Sequence, residues 1–178
     1  MSPRQITRCG LCVALLAVGS SISVPLGPVP FTLQTLVLAM LPIALGGRDA
    51  VITIAVWVAA GAIGLPVFSG FSGGVGHILG PTGGYIWGFL AGTALAAAVL
   101  RLDAVPERMR EGLAVGAMLL VSYTFGTAQL VALLGIDPMA ALGMAVLPFV
   151  VPDVLKLVAG VVAGRAVRRA ISVGTRAA

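Results

Sequence analysis

Charged side chains are scarce in this sequence, and lysine, cysteine and histidine are almost missing from it. Charged types make up 10% of the 178 residues and hydrophobic types 59%, whereas a soluble domain normally carries about 25% charged residues. So few polar groups cannot cover a globular surface in water, and the composition predicts a protein embedded in lipid. The uncharged stretches are also long, since His77 and Tyr85 are the only titratable side chains between Asp49 and Arg101.

The sequence lacks the residues that metal binding, redox chemistry and ATP binding need. The two cysteines, Cys9 and Cys12, lie in an apolar segment, and the single histidine, His77, is far from them in sequence. A redox or metal site needs exposed thiolates or further ligands, so packing inside a helix is the better interpretation. There is no G-x-x-x-x-G-K-[ST] phosphate loop, so ATP-driven work would need a separate ATPase subunit. We therefore expect no metal and no cofactor on this chain.

Six apolar segments, separated by loops rich in proline, glycine or charge, predict an all-α polytopic membrane protein with six transmembrane helices in a compact bundle. The second and third segments are shorter than the roughly 20 residues of a full span. The N-terminus resembles a signal peptide, but five further segments favour a retained first helix. We expect a single membrane domain over residues 1–178, with segments at about 6–24, 32–46, 50–64, 83–100, 112–134 and 147–167.

The arginines predict the orientation of these helices. With six spans and a cytoplasmic N-terminus, all ten arginines fall in inside segments, and the outside loops at about 25–31, 65–82 and 135–146 hold none. Because positive charge favours cytoplasmic loops, this sorting places both termini in the cytoplasm. A five-span alternative would put the C-terminal arginines outside. Membrane anchoring then explains the net charge of +5 better than nucleic-acid binding does.

Two of the predicted outside loops have an unusual composition. Residues 25–30 include three prolines, which favour an extended backbone. Residues 64–85 include eight glycines, and glycine lets the backbone approach a ligand closely. Neither loop carries a formal charge, and both contain aromatic side chains. They are either tight turns under an apolar cover, or the lid and wall of a site for a small, mostly apolar ligand.

Asp153 and Lys156 are the strongest indication of a binding site. Lys156 is the only lysine, and the i, i+3 spacing places both side chains on one face of the last helix. A charged residue inside a span is costly by roughly 2.5–3.5 kcal/mol, so such residues usually face a cavity or a partner. One interpretation is a structural salt bridge. The other is a ligand-binding pair, in which Asp153 accepts N–H donors and Lys156 donates to a carbonyl or carboxylate.

Three runs of the sequence, together with Asp153-x-x-Lys156, resemble the BioY family. The runs are Gly27-Pro-Val-Pro-Phe-Thr-Leu-Gln-Thr35, Gly64-Leu-Pro-Val-Phe68 and Gly80-Pro-Thr-Gly-Gly-Tyr85. This family comprises the biotin-specific substrate-binding subunits, or S components, of energy-coupling factor transporters. The resemblance covers nearly the whole chain, and the motifs are specific in combination.

The resemblance implies high-affinity capture of biotin near the outer face of the bacterial cytoplasmic membrane, with no enzymatic activity. The implied partners are a transmembrane coupling protein and two ATPase subunits, which alone would use ATP. A solitary transporter, or one specific for another small vitamin, is the alternative function. The resemblance also implies docking of the coupling protein on a small-residue step of the first helix, here Gly10 and Ala14.

The site residues that follow from the resemblance and from the loop chemistry lie in both outside loops and on the last helix. Some relatives use Asn and Arg side chains near the second outside loop, and this loop has neither, so backbone, Ser, Thr or His groups would have to replace them. The expected biotin-binding residues are Phe31, Thr32, Gln34, Phe68, Gly74, His77, Thr82, Tyr85, Asp153 and Lys156.

Overall fold

The computed structural model describes residues 1–176, with the side chains of residue 26 and residues 174–176 outside the described part. The predicted domain of residues 1–178 and the inside placement of the Arg176 side chain therefore extend beyond it. The elements in chain order are α1 (Pro3–Ser21), β1 (Ser23–Leu26), β2 (Val29–Thr32), α2 (Gln34–Leu45), α3 (Gly47–Ala62), α4 (Val75–Leu79), α5 (Gly83–Val99), α6 (Glu107–Leu134), α7 (Pro138–Ala145) and α8 (Leu147–Arg176).

The chain is mostly helical, as predicted, but "all-α" is too strong because β1 and β2 form an antiparallel hairpin in the first predicted outside loop. The hairpin pairs Leu26 with Val29, which leaves a two-residue turn. Gly27 opens this turn with φ 87°, and a type II′ turn needs a positive φ at that position. Pro25 and Pro30 face each other across the ribbon. Prolines are tolerated here because each strand has a free edge.

The other two predicted outside loops each contain a short helix that the composition did not indicate. Residues 65–82 include α4, and residues 135–146 include α7. The start of α7 has a clear local cause. The side chain of Asp137 accepts hydrogen bonds from the backbone N–H groups of Met139 and Ala140, and Pro138 occupies the first helical turn.

Two helices in the described part of the chain are long and apolar enough to cross a membrane by length and composition alone: Glu107–Leu134 and Leu147–Val173. The helices Gln34–Leu45 and Gly83–Val99 are apolar but shorter. The predicted short second segment is thus a short helix, and Pro42 lies inside it.

The long helices alternate in direction between two ends of the bundle. The starts of α2 and α5 and the first part of α8 line a cavity at one end. Their C-terminal parts line a groove at the other end, together with the starts of α3 and α6. The uncharged loops therefore gather around the cavity, and Arg48, Arg101, Arg110 and Arg168 gather around the groove.

Glycines at every fourth position allow α5 to pack closely against α6. A Cβ atom on Gly84, Gly88 or Gly92 would collide with the backbone of α6. Small residues at this spacing let helix backbones approach in membranes, where van der Waals packing drives association. This buried stripe on α5 is a more extensive small-residue surface than the step predicted on α1.

We expect Gly88→Ala to destabilise the protein by about 1–3 kcal/mol, the usual effect of overpacking. A Cβ there would lie 2.6 Å from the Cα of Ser122, so backbone must move. Gly116→Ala on α6 is the matched control, because a Cβ at Gly116 has no neighbour within 4 Å. The control should be neutral or stabilising, since alanine favours helix. Unfolding of both variants in detergent would measure the difference, and equal stabilities would contradict close α5–α6 packing.

Candidate ligand-binding site

A cavity lies at the end of the bundle where the uncharged loops meet, and its empty volume, including its mouth, is about 700 Å³. The hairpin, the segment between α3 and α5 that includes α4, and the six helices α2, α3, α5, α6, α7 and α8 contribute to its wall. The lining residues are Val29, Pro30, Thr32, Gln34, Thr35, Trp57, Phe68, Ser69, His77, Thr82, Tyr85, Ile86, Phe89, Leu119, Ser122, Tyr123, Ala145, Phe149, Asp153 and Lys156.

Asp153 is the polar centre of this cavity and is only 5% exposed. Its Oδ1 accepts from the Lys156 ammonium at 2.8 Å and from the Thr35 hydroxyl at 3.0 Å. Its Oδ2 accepts from the Tyr123 hydroxyl at 2.8 Å. A buried carboxylate is tolerated only when it is paired and hydrogen-bonded, and three donors from α2, α6 and α8 meet that need. Asp153 therefore connects three helices at the base of the cavity.

Lys156 is held on two sides but keeps hydrogen-bonding capacity. Its ammonium lies 3.6 Å from the centroid of the Phe31 ring, a cation–π contact. An ammonium has three N–H donors, and among the described residues only Asp153 accepts one of them. The two remaining donors and the position in the cavity wall suit Lys156 to an acceptor on a ligand.

Aromatic rings form much of the apolar wall. The rings of Trp57 and Phe68 meet edge to face at 4.9 Å between centroids, and the His77 ring lies 6.1 Å from Phe68. The Trp57 indole N–H donates to the carbonyl of Val67 at 3.0 Å, which fixes the segment after α3. An apolar ring system with a few polar substituents would fit this lining.

The side-chain amide of Gln34 is a further candidate for recognition. Gln34 lines the cavity and is 7% exposed. Its backbone N–H donates to the Thr32 hydroxyl, while no hydrogen bond to its side chain is present in the described part of the chain. A buried amide of this kind gains from a partner. It can offer both N–H donors and a carbonyl acceptor to a ligand.

The cavity brings together most of the residues predicted to bind biotin. Phe31 is not part of the wall but touches Lys156 and stacks on Phe149, with centroids 6.4 Å apart. Gly74 also lies outside the wall. It precedes α4 with φ 99°, a backbone conformation that favours glycine, and its contact with the ligand stays a prediction. The predicted residues in the wall are Thr32, Gln34, Phe68, His77, Thr82, Tyr85, Asp153 and Lys156.

The predicted docking step and the cysteines lie on α1, away from the cavity. Gly10 and Ala14 are exposed on α1, and space is open where a Cβ on Gly10 would lie. Cys9 and Cys12 are buried free thiols, as the packing interpretation predicted.

Comparison with known proteins places this arrangement in a family. The model of the BioY family matches residues 1–173. This chain belongs to the BioY family. Its sequence is 41% identical to the probable biotin transporter BioY of Pyrococcus horikoshii over 162 residues, which cover 91% of this chain and 94% of the relative. It is 40% identical to the biotin transporter BioY of Thermotoga maritima over 155 residues, covering 87% of this chain and 80% of the relative.

A solved structure has the same fold. The crystal structure of the S-component for biotin from an ECF-type ABC transporter matches with a TM-score of 0.85 and 26% identity, over 95% of both chains. The resemblance to the BioY family inferred from the sequence motifs is confirmed.

Several residues of the BioY cavity were not predicted from the sequence, although two had local signals. Phe149 lies four residues before Asp153 on α8, so helical spacing places it on the same face. Thr35 ends one of the family motifs and bonds directly to Asp153. Trp57 and Tyr123 come from helices whose cavity-facing side depends on tertiary packing, and no local pattern distinguishes them.

Proposed function

We propose that this chain captures biotin with high affinity and serves as the S component of an ECF-type transporter. The observation that carries the proposal is the buried Asp153–Lys156 pair in the wall of an aromatic cavity. Biotin has a ureido group with two N–H donors and a carbonyl, an apolar thioether ring and a carboxylate. The aromatic wall suits the ring, and Lys156 and Gln34 suit its polar groups. The names of the Pyrococcus and Thermotoga relatives and of the solved S-component support biotin as the ligand.

In this proposal the main role of Asp153 is to hold the Lys156 ammonium in position. Its three donors already occupy most of its acceptor capacity. A ureido N–H could bind Asp153 either at its remaining lone pair or by displacing the Tyr123 hydroxyl. Lys156 needs no such exchange, because two of its N–H groups are free to donate to a ligand carbonyl or carboxylate. The ligand contacts of Phe31, Thr32, Phe68, His77, Thr82 and Tyr85 belong to the same proposal.

The membrane arrangement is also proposed. The six helices α1, α2, α3, α5, α6 and α8, which alternate in direction, would cross the bacterial cytoplasmic membrane six times, with the arginine-bearing end and both termini in the cytoplasm. The cavity would then open to the outside. The shorter helices α2 and α3 reach their full span with the help of the hairpin and the loops.

The proposed partners are a transmembrane coupling protein and two ATPase subunits, which hydrolyse ATP while this chain binds no cofactor and catalyses no reaction. The exposed Gly10–Ala14 step on α1 is the proposed contact for the coupling protein, because small residues permit close helix approach.

Titration of the purified chain with biotin, followed by calorimetry and tryptophan fluorescence, tests the proposal. We expect saturable binding below micromolar biotin. Trp57 lines the cavity and Trp87 does not, so Trp57→Phe should abolish most of the fluorescence change and Trp87→Phe should preserve it. Absence of calorimetric binding at micromolar biotin would overturn the proposal. Vesicle uptake by the chain without partners would favour the solitary transporter instead.

A further inference from the structure

We propose that the groove at the arginine-bearing end binds the phosphate of an anionic phospholipid. This groove is separate from the cavity of the proposed biotin site and shares no lining residue with it. Its empty volume, including its open side, is about 930 Å³. The ends of α2 and α5, the starts of α3 and α6, and the last part of α8 form it.

Two arginines in this groove are available for a ligand. Arg168 pairs with Glu107 at 2.8 Å and Glu111 at 3.2 Å, and Arg110 pairs with Asp103 at 2.9 Å. Arg48 and Arg101 also line the groove, and neither has an ion-pair partner among the side chains that the structure describes. In the groove, acidic side chains therefore neutralise Arg110 and Arg168, whereas the positive charges of Arg48 and Arg101 are not compensated.

Close packing of α3 against α5 brings together the two backbone segments that carry Arg48 and Arg101. The start of α3 and the end of α5 touch at Gly47 and Ala97, where a Cβ on Gly47 would overlap the Ala97 side chain. Arg48 follows Gly47 directly, and Arg101 lies about one helical turn beyond Ala97. α3 also begins without a side-chain cap, so its first backbone N–H groups add partial positive charge at the same place, which Asp49 in the first turn offsets in part.

A third donor faces the same region. The buried Nε of Arg110 has no hydrogen-bond acceptor in the described part of the chain, and Arg110 lines the groove. A buried donor without a partner is costly, and an oxygen atom supplied by a ligand would remove that cost. Arginine guanidinium groups bind phosphate oxygens in a forked geometry. A phosphate has more oxygen atoms than a carboxylate, so it can bind several arginines at once.

The floor of the groove favours a lipid over free phosphate. Among its apolar lining residues, Leu45 and Leu100 are half-buried and keep exposed surface. A soluble phosphate gains nothing from them, whereas the glycerol and upper acyl groups of a phospholipid bury apolar surface there. The groove also lies at the end of the helices, where headgroups would surround it. Basic pockets between helices at the cytoplasmic surface are known to hold anionic headgroups. With the proposed orientation, the lipid belongs to the inner leaflet.

Native mass spectrometry of the detergent-purified chain, titrated with dioctanoyl phosphatidylglycerol, would test this site. We expect one tightly bound lipid, and dioctanoyl phosphatidylcholine should bind much more weakly. Arg48→Ala with Arg101→Ala should weaken phosphatidylglycerol binding about 30-fold, since each basic residue that attracts the anionic headgroup contributes roughly fivefold. Arg108→Ala with Arg169→Ala is the matched control, because these arginines are unpaired in the described structure and lie outside the groove. It should change binding less than about twofold.

Three outcomes would overturn the inference. Equal losses in the two double variants would show general surface charge without a site. Competition by millimolar inorganic phosphate as strong as that by lipid would make free phosphate the ligand. Unchanged lipid binding together with lost assembly on co-expressed coupling subunits would make the groove a protein interface. Biotin affinity should remain unchanged in both double variants, which separates this test from that of the proposed function and shows that the variants fold.

Discussion

Lys156→Ala is expected to lower biotin affinity roughly 100-fold, because a charge-assisted hydrogen bond contributes up to about 3 kcal/mol. Lys156 is 7% exposed, and its ammonium has two N–H groups without a protein acceptor among the described residues. Its loss removes both a donor to the ligand and the cation that balances Asp153. Isothermal titration of the purified variant with biotin measures the effect.

The companion variant Lys156→Met keeps the apolar stem and removes only the charge, so it separates lost packing from lost recognition. Arg169→Ala removes a cation from the same helix but from outside the cavity, and should bind biotin like the parent. If Lys156→Met folds and binds biotin with unchanged affinity, the Asp153–Lys156 pair is a structural salt bridge and not part of the binding site.

Glu111→Gln is expected to lower the free energy of unfolding by about 3 kcal/mol, the lower end of the loss when one partner of a buried ion pair is removed. Glu111 is 1% exposed, and its carboxylate lies 2.6 Å from Nε of Arg165 and 3.2 Å from Arg168. Both arginines are on α8 and Glu111 is on α6, so the ion pairs join these helices at the end opposite the cavity. Unfolding by SDS in mixed micelles would report the change.

Glu107→Gln provides a control on the same partner. Glu107 also pairs with Arg168, but their side chains are 58% and 44% exposed. An exposed pair contributes about 0–1 kcal/mol, so this variant should be nearly as stable as the parent. Equal losses in the two variants would mean that burial of Glu111 is not what makes its ion pairs important.

The sequence predicted the polar features of this protein better than its loops. Charge inside an apolar segment is rare, so Asp153 and Lys156 could be identified by composition and spacing alone. Their bond to each other and their place in a cavity wall agree with that reasoning. The donors Thr35 and Tyr123 were not assigned because each reaches Asp153 from another helix, and single-helix periodicity does not specify how helices face each other.

The loops were misjudged for a local reason. The prolines of the first loop were taken to favour an extended backbone and no short helix was expected in the other loops, yet Gly27 creates a hairpin turn and Asp137 with Pro138 begins α7. Turn and cap residues interrupt one element while starting the next. The glycines of α5 were a comparable omission. Gly84, Gly88 and Gly92 have the spacing of a packing surface, but the partner helix could be identified only in three dimensions.

The ion pair at the base of the cavity also has an electrical consequence. Asp153 and Lys156 sum to zero, so the empty cavity adds no net charge to the interior of the bundle. Biotin at neutral pH is a monoanion, and the occupied protein would carry one extra negative charge at that depth. Moving such a charge into a cell that is negative inside opposes the membrane potential by about 2.3 kcal/mol for each 100 mV. In the proposed transporter, inward delivery of biotin would then be uphill even at equal concentrations, which is a physical reason for the proposed coupling to ATP hydrolysis.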